Sequence, residues 1–184
     1  GVCIFEDGSE CDSWAFYRGE CQPGSSSDAV VPESVPTYIN DAYGFTLSLP
    51  AEWQIVDQTD HSVRFTRDSY DFFIGYWRAD EEKPIFRTGM PSGEFVDGGT
   101  IPFLGQELPK RLLVDLDGTV TRLVDYGSGV GVGDLYLTIW AEAGPVDGVE
   151  PKDLTIPEGI EMEADGIVSS FALLSGETPQ IVLP

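Results

Sequence analysis

From Thr37 onward the chain alternates apolar and polar residues. Phe45, Leu47 and Leu49 fall on one side of an extended backbone and Thr46 and Ser48 on the other. The same period of two returns at Val63 and Phe65 and again from Phe72 to Trp77. Successive side chains of a strand point to opposite faces, so such segments cannot stay extended alone and must share one buried face with neighbouring strands. Turn residues punctuate them closely, at Leu49-Pro50, at Gly89 to Gly93 and at Asp97-Gly98-Gly99. Spacing that short suits antiparallel connections rather than helical crossovers.

A hairpin is predicted at Asp117-Gly118, because a two-residue Asp-Gly loop suits a type I′ turn and both flanks alternate. That register sets Leu116 opposite Thr119, Val114 opposite Thr121 and Leu112 opposite Leu123. It turns Leu112, Val114 and Leu116 to the core and leaves Asp115 and Arg122 exposed. The glycine-rich stretch Tyr126 to Gly133 reads as a loop, followed by a strand in which Leu135, Leu137, Ile139 and Ala141 alternate with Tyr136, Thr138 and Trp140. Near the end the period changes. Ile160, Ala164, Ile167, Val168, Phe171 and Leu174 recur at helical spacing, with Gly176 placed as a C-terminal stop and Pro179 beyond it. The expected fold class is α+β, an antiparallel sheet with one C-terminal amphipathic helix packed on a face, preceded by a small disulfide-bonded module.

That module is the other constraint. Cys3, Cys11 and Cys21 all lie in the first twenty-one residues and no cysteine follows. A segment so short buries too little surface to hold itself, and disulfides persist in oxidising compartments, so an extracytoplasmic location is expected, secreted or at the cell surface. The count is odd, which leaves two readings. Either one thiol pairs with another chain, or its partner lay upstream of Gly1. Gln22-Pro23-Gly24-Ser25-Ser26-Ser27 has linker composition, so the expected organisation is a cysteine-rich module over 1–22, a linker over 23–37, an α+β domain over 38–176 and a tail over 177–184.

The formal charge of −22, with lysine at positions 83, 110 and 152 alone, excludes nucleic acid and anionic membrane surfaces as partners, since phosphate binding needs clustered cations. No apolar run approaches the roughly 18 to 20 residues of a membrane span. With no start methionine or signal-like leader, the chain reads as a mature or trimmed product.

Candidate chemistry is sparse. His61, the sole histidine, lies between Asp60 and Ser62, and neighbours on a strand face opposite ways, so these three cannot form a triad by themselves. It reads as a solvent-facing turn residue. The cysteine spacings fit neither a C-x-x-C redox pair nor zinc. Carboxylates pair at Asp57/Asp60, Asp68/Asp71, Asp80/Glu81/Glu82 and Asp115/Asp117, without a spacing that defines a glycosidase. No cofactor or metal is expected; calcium stays open as a ligand of oxygen-rich loops, although Asp115-x-Asp117-Gly118 lacks the further ligands of an EF-hand. The glycines of 127–133 recur at every second residue, the wrong spacing for a phosphate-binding loop. Phe72 and Tyr76 on one strand face, and Phe73 and Trp77 on the other, are the candidate interaction residues, because one covering helix leaves one face of the sheet free.

Two stretches carry a resemblance. Cys3, Asp7-Gly8, Cys11, Trp14 and Gly19-Glu20-Cys21 resemble the C-terminal half of a small cysteine-rich domain of exported bacterial proteins that bear a haemolysin label. With the tryptophan-containing segment between them, this implies a Cys11–Cys21 bridge. Cys3 is then free or joined to another polypeptide, including a cleaved upstream fragment. Tyr38-Ile39-Asn40, Tyr43-Gly44-Phe45, Leu49-Pro50 with Trp53, and Ile167-Val168 with Ser170-Phe171 are similar to bacterial exported PsbP-like domains. Members of that family share a sheet and little chemistry, so the resemblance implies a fold and no activity. The functional expectation is a secreted or surface-attached, non-catalytic protein that binds a protein partner or its own copies, up to oligomers or filaments. The alternative is an extracellular hydrolase using carboxylates or calcium.

Overall fold

The computed structural model describes residues 36–86, 93–115, 121–144, 154–176 and 179–183, together with the backbone of two short strands near the start. The chain divides into two compact units, Gly1–Ser34 and Val35–Pro184. In the first, β1 (Val2–Ile4) pairs antiparallel with β2 (Glu10–Asp12), and the register sets Cys3 opposite Cys11. Cys21 lies outside the described residues, so the expected Cys11–Cys21 bridge does too.

The second unit is built on two sheets. The smaller has the order β12-β4-β3, from β3 (Thr37–Asn40), β4 (Phe45–Ser48) and β12 (Ala172–Leu173). The larger runs β5-β6-β7-β11-β10-β9-β8, with β5 (Gln54–Thr59), β6 (Ser62–Arg67), β7 (Tyr70–Arg78), β8 (Glu94–Phe103), β9 (Gln106–Val114), β10 (Thr121–Val132) and β11 (Leu135–Ala143). An eighth strand, β13 (Ile181–Val182), pairs with the far end of β10. All the pairings are antiparallel.

Alternation does place the core. Phe45, Leu47 and Leu49 of the small sheet, Val63 and Phe65 of β6, Phe72, Ile74 and Tyr76 of β7, and Leu135, Leu137 and Ile139 of β11 are all buried in one cluster. The helix α1 (Glu158–Ser169) adds Ile160, Ala164, Ile167 and Val168 to the same cluster. Partly buried ions tie it to the large sheet. Lys110 Nζ lies 2.7 Å from Glu161 and 2.6 Å from Asp165, and the Tyr126 hydroxyl donates to Asp165 at 2.8 Å. On its other flank Glu163 accepts from Trp53 Nε1 at 2.8 Å and from Arg67.

The α+β expectation is overturned. Among the described residues strand accounts for 58% and helix for 10%, with one helix and no disulfide, so the domain is mainly antiparallel β and the disulfide-bonded module is not observed. Two segments account for the shift. The glycine-rich stretch is strand rather than loop, because β10 runs through it with register shifts between Asp125 and Gly127 and between Ser128 and Val130. Gly127 and Gly129 take φ of +121° and +94° at these bulges, conformations closed to most side chains. Two one-residue bulges restore the phase, so Val124, Tyr126, Val130 and Val132 all reach the core. The helix is also shorter than its apolar spacing suggests. The Ser170 hydroxyl donates to the Ile167 carbonyl at 2.7 Å, and the chain then pairs Ala172 with Thr46 and Leu173 with Phe45. Phe171, between the helix and β12, stacks on Phe45 at 5.1 Å, and Leu174 is exposed.

The Asp117-Gly118 turn lies outside the described residues, and its flanks depart from the ideal register. Thr121 opposes Val114 as predicted, but a bulge then pairs Leu123 with Leu113 and Val124 with Leu112. Leu112 packs against the main core, while Leu113 and Leu123 are buried on the opposite face. Asp115 and Arg122, expected in solvent, are half-buried.

Candidate functional site

The four expected interaction residues are not a free surface. Phe72 and Tyr76 belong to the core. Phe73 stacks on Trp140, its directly paired neighbour on β11, at a centroid distance of 4.0 Å. Trp77 stacks in the same way on Tyr136 at 5.6 Å. Between these two aromatic pairs sits Gly75, opposite Thr138. A Cβ at Gly75 would lie 2.6 Å from the Phe86 ring, so the absence of a side chain makes the notch that Phe86 fills. Phe86 contacts Phe73 at 5.6 Å and Trp77 at 5.9 Å, and Lys83 Nζ lies 5.3 Å from the Trp77 ring centre. The segment after β7 thus folds back and covers the face that one helix could not.

At one end of the large sheet three turns bring polar side chains together. His61, in the turn between β5 and β6, places Nδ1 2.9 Å from the Tyr43 hydroxyl, which comes from the turn between β3 and β4. Glu81, just past β7, lies 3.2 Å from the same hydroxyl and accepts from the Arg78 amide at 2.7 Å. Burial and then the Glu81 hydrogen bond hold the Tyr43 hydroxyl above its ordinary pKa, so it stays a neutral donor. The Arg78 guanidinium lies 5.5 Å from the Tyr43 ring centre, donates to the Ala42 carbonyl at 3.0 Å and pairs with Asp134 at 2.8 Å. Beside this group an open cleft of about 240 Å³ is lined by Tyr43, Gly44, residues 132–135, Leu173, Ser175 and Pro179. With one proton to give, the Tyr43 hydroxyl donates to Glu81 or to His61 Nδ1. His61 is a turn residue, as expected, and its partners are Tyr43 and Glu81 rather than Asp60 or Ser62; Ser62 bonds Thr59 at 2.8 Å. No spacing announces this trio, since its members lie 18 and 38 positions apart in sequence.

Three of the paired carboxylates, Asp57, Asp68 and Asp71, face arginines. Asp57 and Asp71 both face Arg64, at 3.9 and 3.8 Å, and Asp68 faces Arg67 at 3.9 Å. Burial raises the Asp71 pKa in spite of the Thr66 hydrogen bond and Arg64. Among the described residues no group of three potential ligands is placed to hold a metal ion, and no helix is long and apolar enough to cross a membrane. Asp117 of the Asp115-x-Asp117 pair lies outside the described residues.

The free surface is at the sheet's end. β5 is one of the two terminal strands of the large sheet, β8 being the other; all six residues of β5 are exposed, with Ile55 and Val56 at 49% and 50%. The register with β6 passes from Ile55–Phe65 to Asp57–Arg64, so Val56 is a bulged residue without a ladder partner.

No protein-family model matches the chain, and no curated protein matches it either. Among solved structures, a crystal structure of a protein from Bacteroides thetaiotaomicron is similar at 13% identity with a TM-score of 0.36, over 74% of this chain and 47% of that one. The chain thus spans about half the length of that neighbour, at a likeness too distant to carry an argument about fold or function.

Proposed function

We propose that this protein works by association, with an extended segment of another polypeptide adding to the outer edge of β5. The observation that carries the proposal is the exposure of that whole strand, with Ile55 and Val56 half out of water beside an edge that has no strand beyond it among the described residues. A terminal strand offers a row of backbone donors and acceptors, and pairing supplies affinity while side-chain pockets supply choice. The bulge at Val56 restricts the edge to short partners, because a long flat strand would lose register there. The role is binding rather than catalysis, and the aromatic residues of β7 serve the domain's own packing. An extracytoplasmic site of action is part of the proposal, supported by the gathering of all three cysteines into the first twenty-one residues.

The test is amide hydrogen exchange of Gln54–Thr59 in the full chain, at rising protein concentration and with short synthetic strand peptides of either charge. Protection of these amides by at least one of them, lost in Val56→Lys, is the expected result. Exchange that stays the same under every condition overturns the proposal.

A further inference from the structure

We infer that the β5 edge is built for a cationic partner, a short extended segment that carries lysine or arginine beside apolar residues. The inference rests on the association reading above and names the chemistry of its partner. Three acids flank the two exposed aliphatics along one strand: Glu52 just before β5, Asp57 within it and Asp60 just after it. The Glu52 and Asp57 side chains are 66% and 58% exposed. Their cationic neighbours lie one strand inward on β6 and are already shared. Arg64 stands 3.9 Å from Asp57 and 3.8 Å from Asp71, too long for a direct hydrogen bond to either. Arg67 is divided among Glu52, Asp68 and Glu163. Around the apolar pair two arginines are thus shared among Glu52, Asp57, Asp68, Asp71 and Glu163, so the local charge stays negative, within a chain of net charge −22 that attracts cations at long range.

The same charges argue against a second copy as the occupant. Antiparallel self-pairing centred on Val56 would stack the aliphatics but bring Glu52, in the turn before β5 of each copy, toward Asp60, in the turn after β5 of the other. Like charges brought together at both ends of the paired strands repel one another. A segment with lysine at those positions meets both acids and covers Ile55 and Val56 with the side chains between.

Salt dependence separates the two occupants, because screening weakens attraction to a cationic strand and weakens repulsion between two copies. The probe is a short peptide alternating lysine with valine, titrated into the isotopically labelled full chain, with a glutamate–valine peptide as its counterpart. The expected result is shifts and exchange protection centred on Gln54–Thr59 with the lysine peptide alone. Affinity should fall roughly tenfold as the Debye length shortens from about 30 to about 8 Å. Asp57→Lys should abolish most of the binding. Asp57→Asn separates loss of charge from reversal, and far-ultraviolet circular dichroism confirms that each variant is folded. Protection by the glutamate peptide, or by the protein's own copies with affinity rising with salt, overturns the cationic partner and leaves the association reading in place. No protection by any of them overturns both.

Discussion

The two faces of the large sheet are apolar for the same reason and are covered in different ways. The inner face meets regular structure, with three short strands and a helix bringing Phe45, Leu47, Ile160 and Ile167 onto Phe72, Tyr126 and Leu137. Its polar contacts are partly buried ions at the helix. The outer face has stacked aromatic pairs, Phe73 on Trp140 and Trp77 on Tyr136, closed by Phe86 in the Gly75 notch and by Phe95, whose ring lies 4.6 Å from the Arg111 guanidinium carbon. Alternation determines that a strand has two faces. What covers each face depends on the rest of the chain, and here an irregular segment does the work of a second layer.

If the inner face is the thermodynamic core, the largest loss should come from it. Phe72→Ala, at a side chain with no solvent exposure, is expected to cost about 3–5 kcal/mol in chemical denaturation, against about 1–2 kcal/mol for the half-buried Phe86→Ala. Equal losses would mean that the two faces are equivalent and that the segment after β7 is as deeply built in as the helix.

The next effect tests the ions. Lys110 has a side chain 8% exposed, held between Glu161 and Asp165. Burial pulls its ammonium down, but hydrogen bonds to Asp165 and Glu161 outweigh burial and leave its pKa raised. Lys110→Met leaves two carboxylates facing each other without a cation, and about 2–3 kcal/mol should be lost at neutral pH. Recovery on adding Glu161→Gln and Asp165→Asn would show that the loss is electrostatic; no recovery would assign it to packing.

Gly75→Ala sharpens the outer face. The new methyl meets the far end of the Phe86 ring, which can swing away, so the expected cost is about 1 kcal/mol with a rise in solvent exposure of Trp77, visible as a red shift of its fluorescence. A variant with unchanged emission would show that the notch does not seat Phe86.

The smallest effect is alkaline. Burial, followed by the charge of Asp165 and its hydrogen bond, raises the Tyr126 pKa well above that of a free phenol. A folded pKa raised above the unfolded one contributes stability that is fully present below about pH 10 and is lost as pH rises through the folded value. Burial and Glu81 act in the same direction on Tyr43. Stability should therefore fall above about pH 10, and Tyr126→Phe should make that fall shallower. An unchanged slope would place the alkaline sensitivity elsewhere.

Much of the inner face was legible because alternation is local geometry. Phe45, Leu47, Leu49, Val63, Phe65 and Ile74 are buried where a period of two puts them. The helix was legible over Ile160, Ala164, Ile167 and Val168, yet its end was not, because Phe171 and Leu174 continue a helical spacing while the pairing that ends the helix, Ala172 and Leu173 with β4, joins residues far apart in sequence. The glycines of β10 read as a loop since their intrinsic preference favours one. Pairing with β11 along the whole stretch outweighs that preference, and two bulges take up the strain. The candidate polar group was hidden altogether: His61 gives no sign in sequence of Tyr43 or Glu81, which arrive from other turns.

By itself, then, the sequence determined what each short stretch could be. The period of two commits residues to strands, the cysteines cluster in the first twenty-one residues, and the surplus of acids sets the charge of the surface. Only the tertiary structure decided which strands are neighbours and which is last in line, which aromatic face is closed by Phe86, where the helix yields to β12, and that Val56 stands bulged on an open edge. The physical reason is range. Side-chain alternation is a property of neighbouring dihedrals, whereas edges, notches and ion pairs exist only between residues brought together from distant parts of the chain.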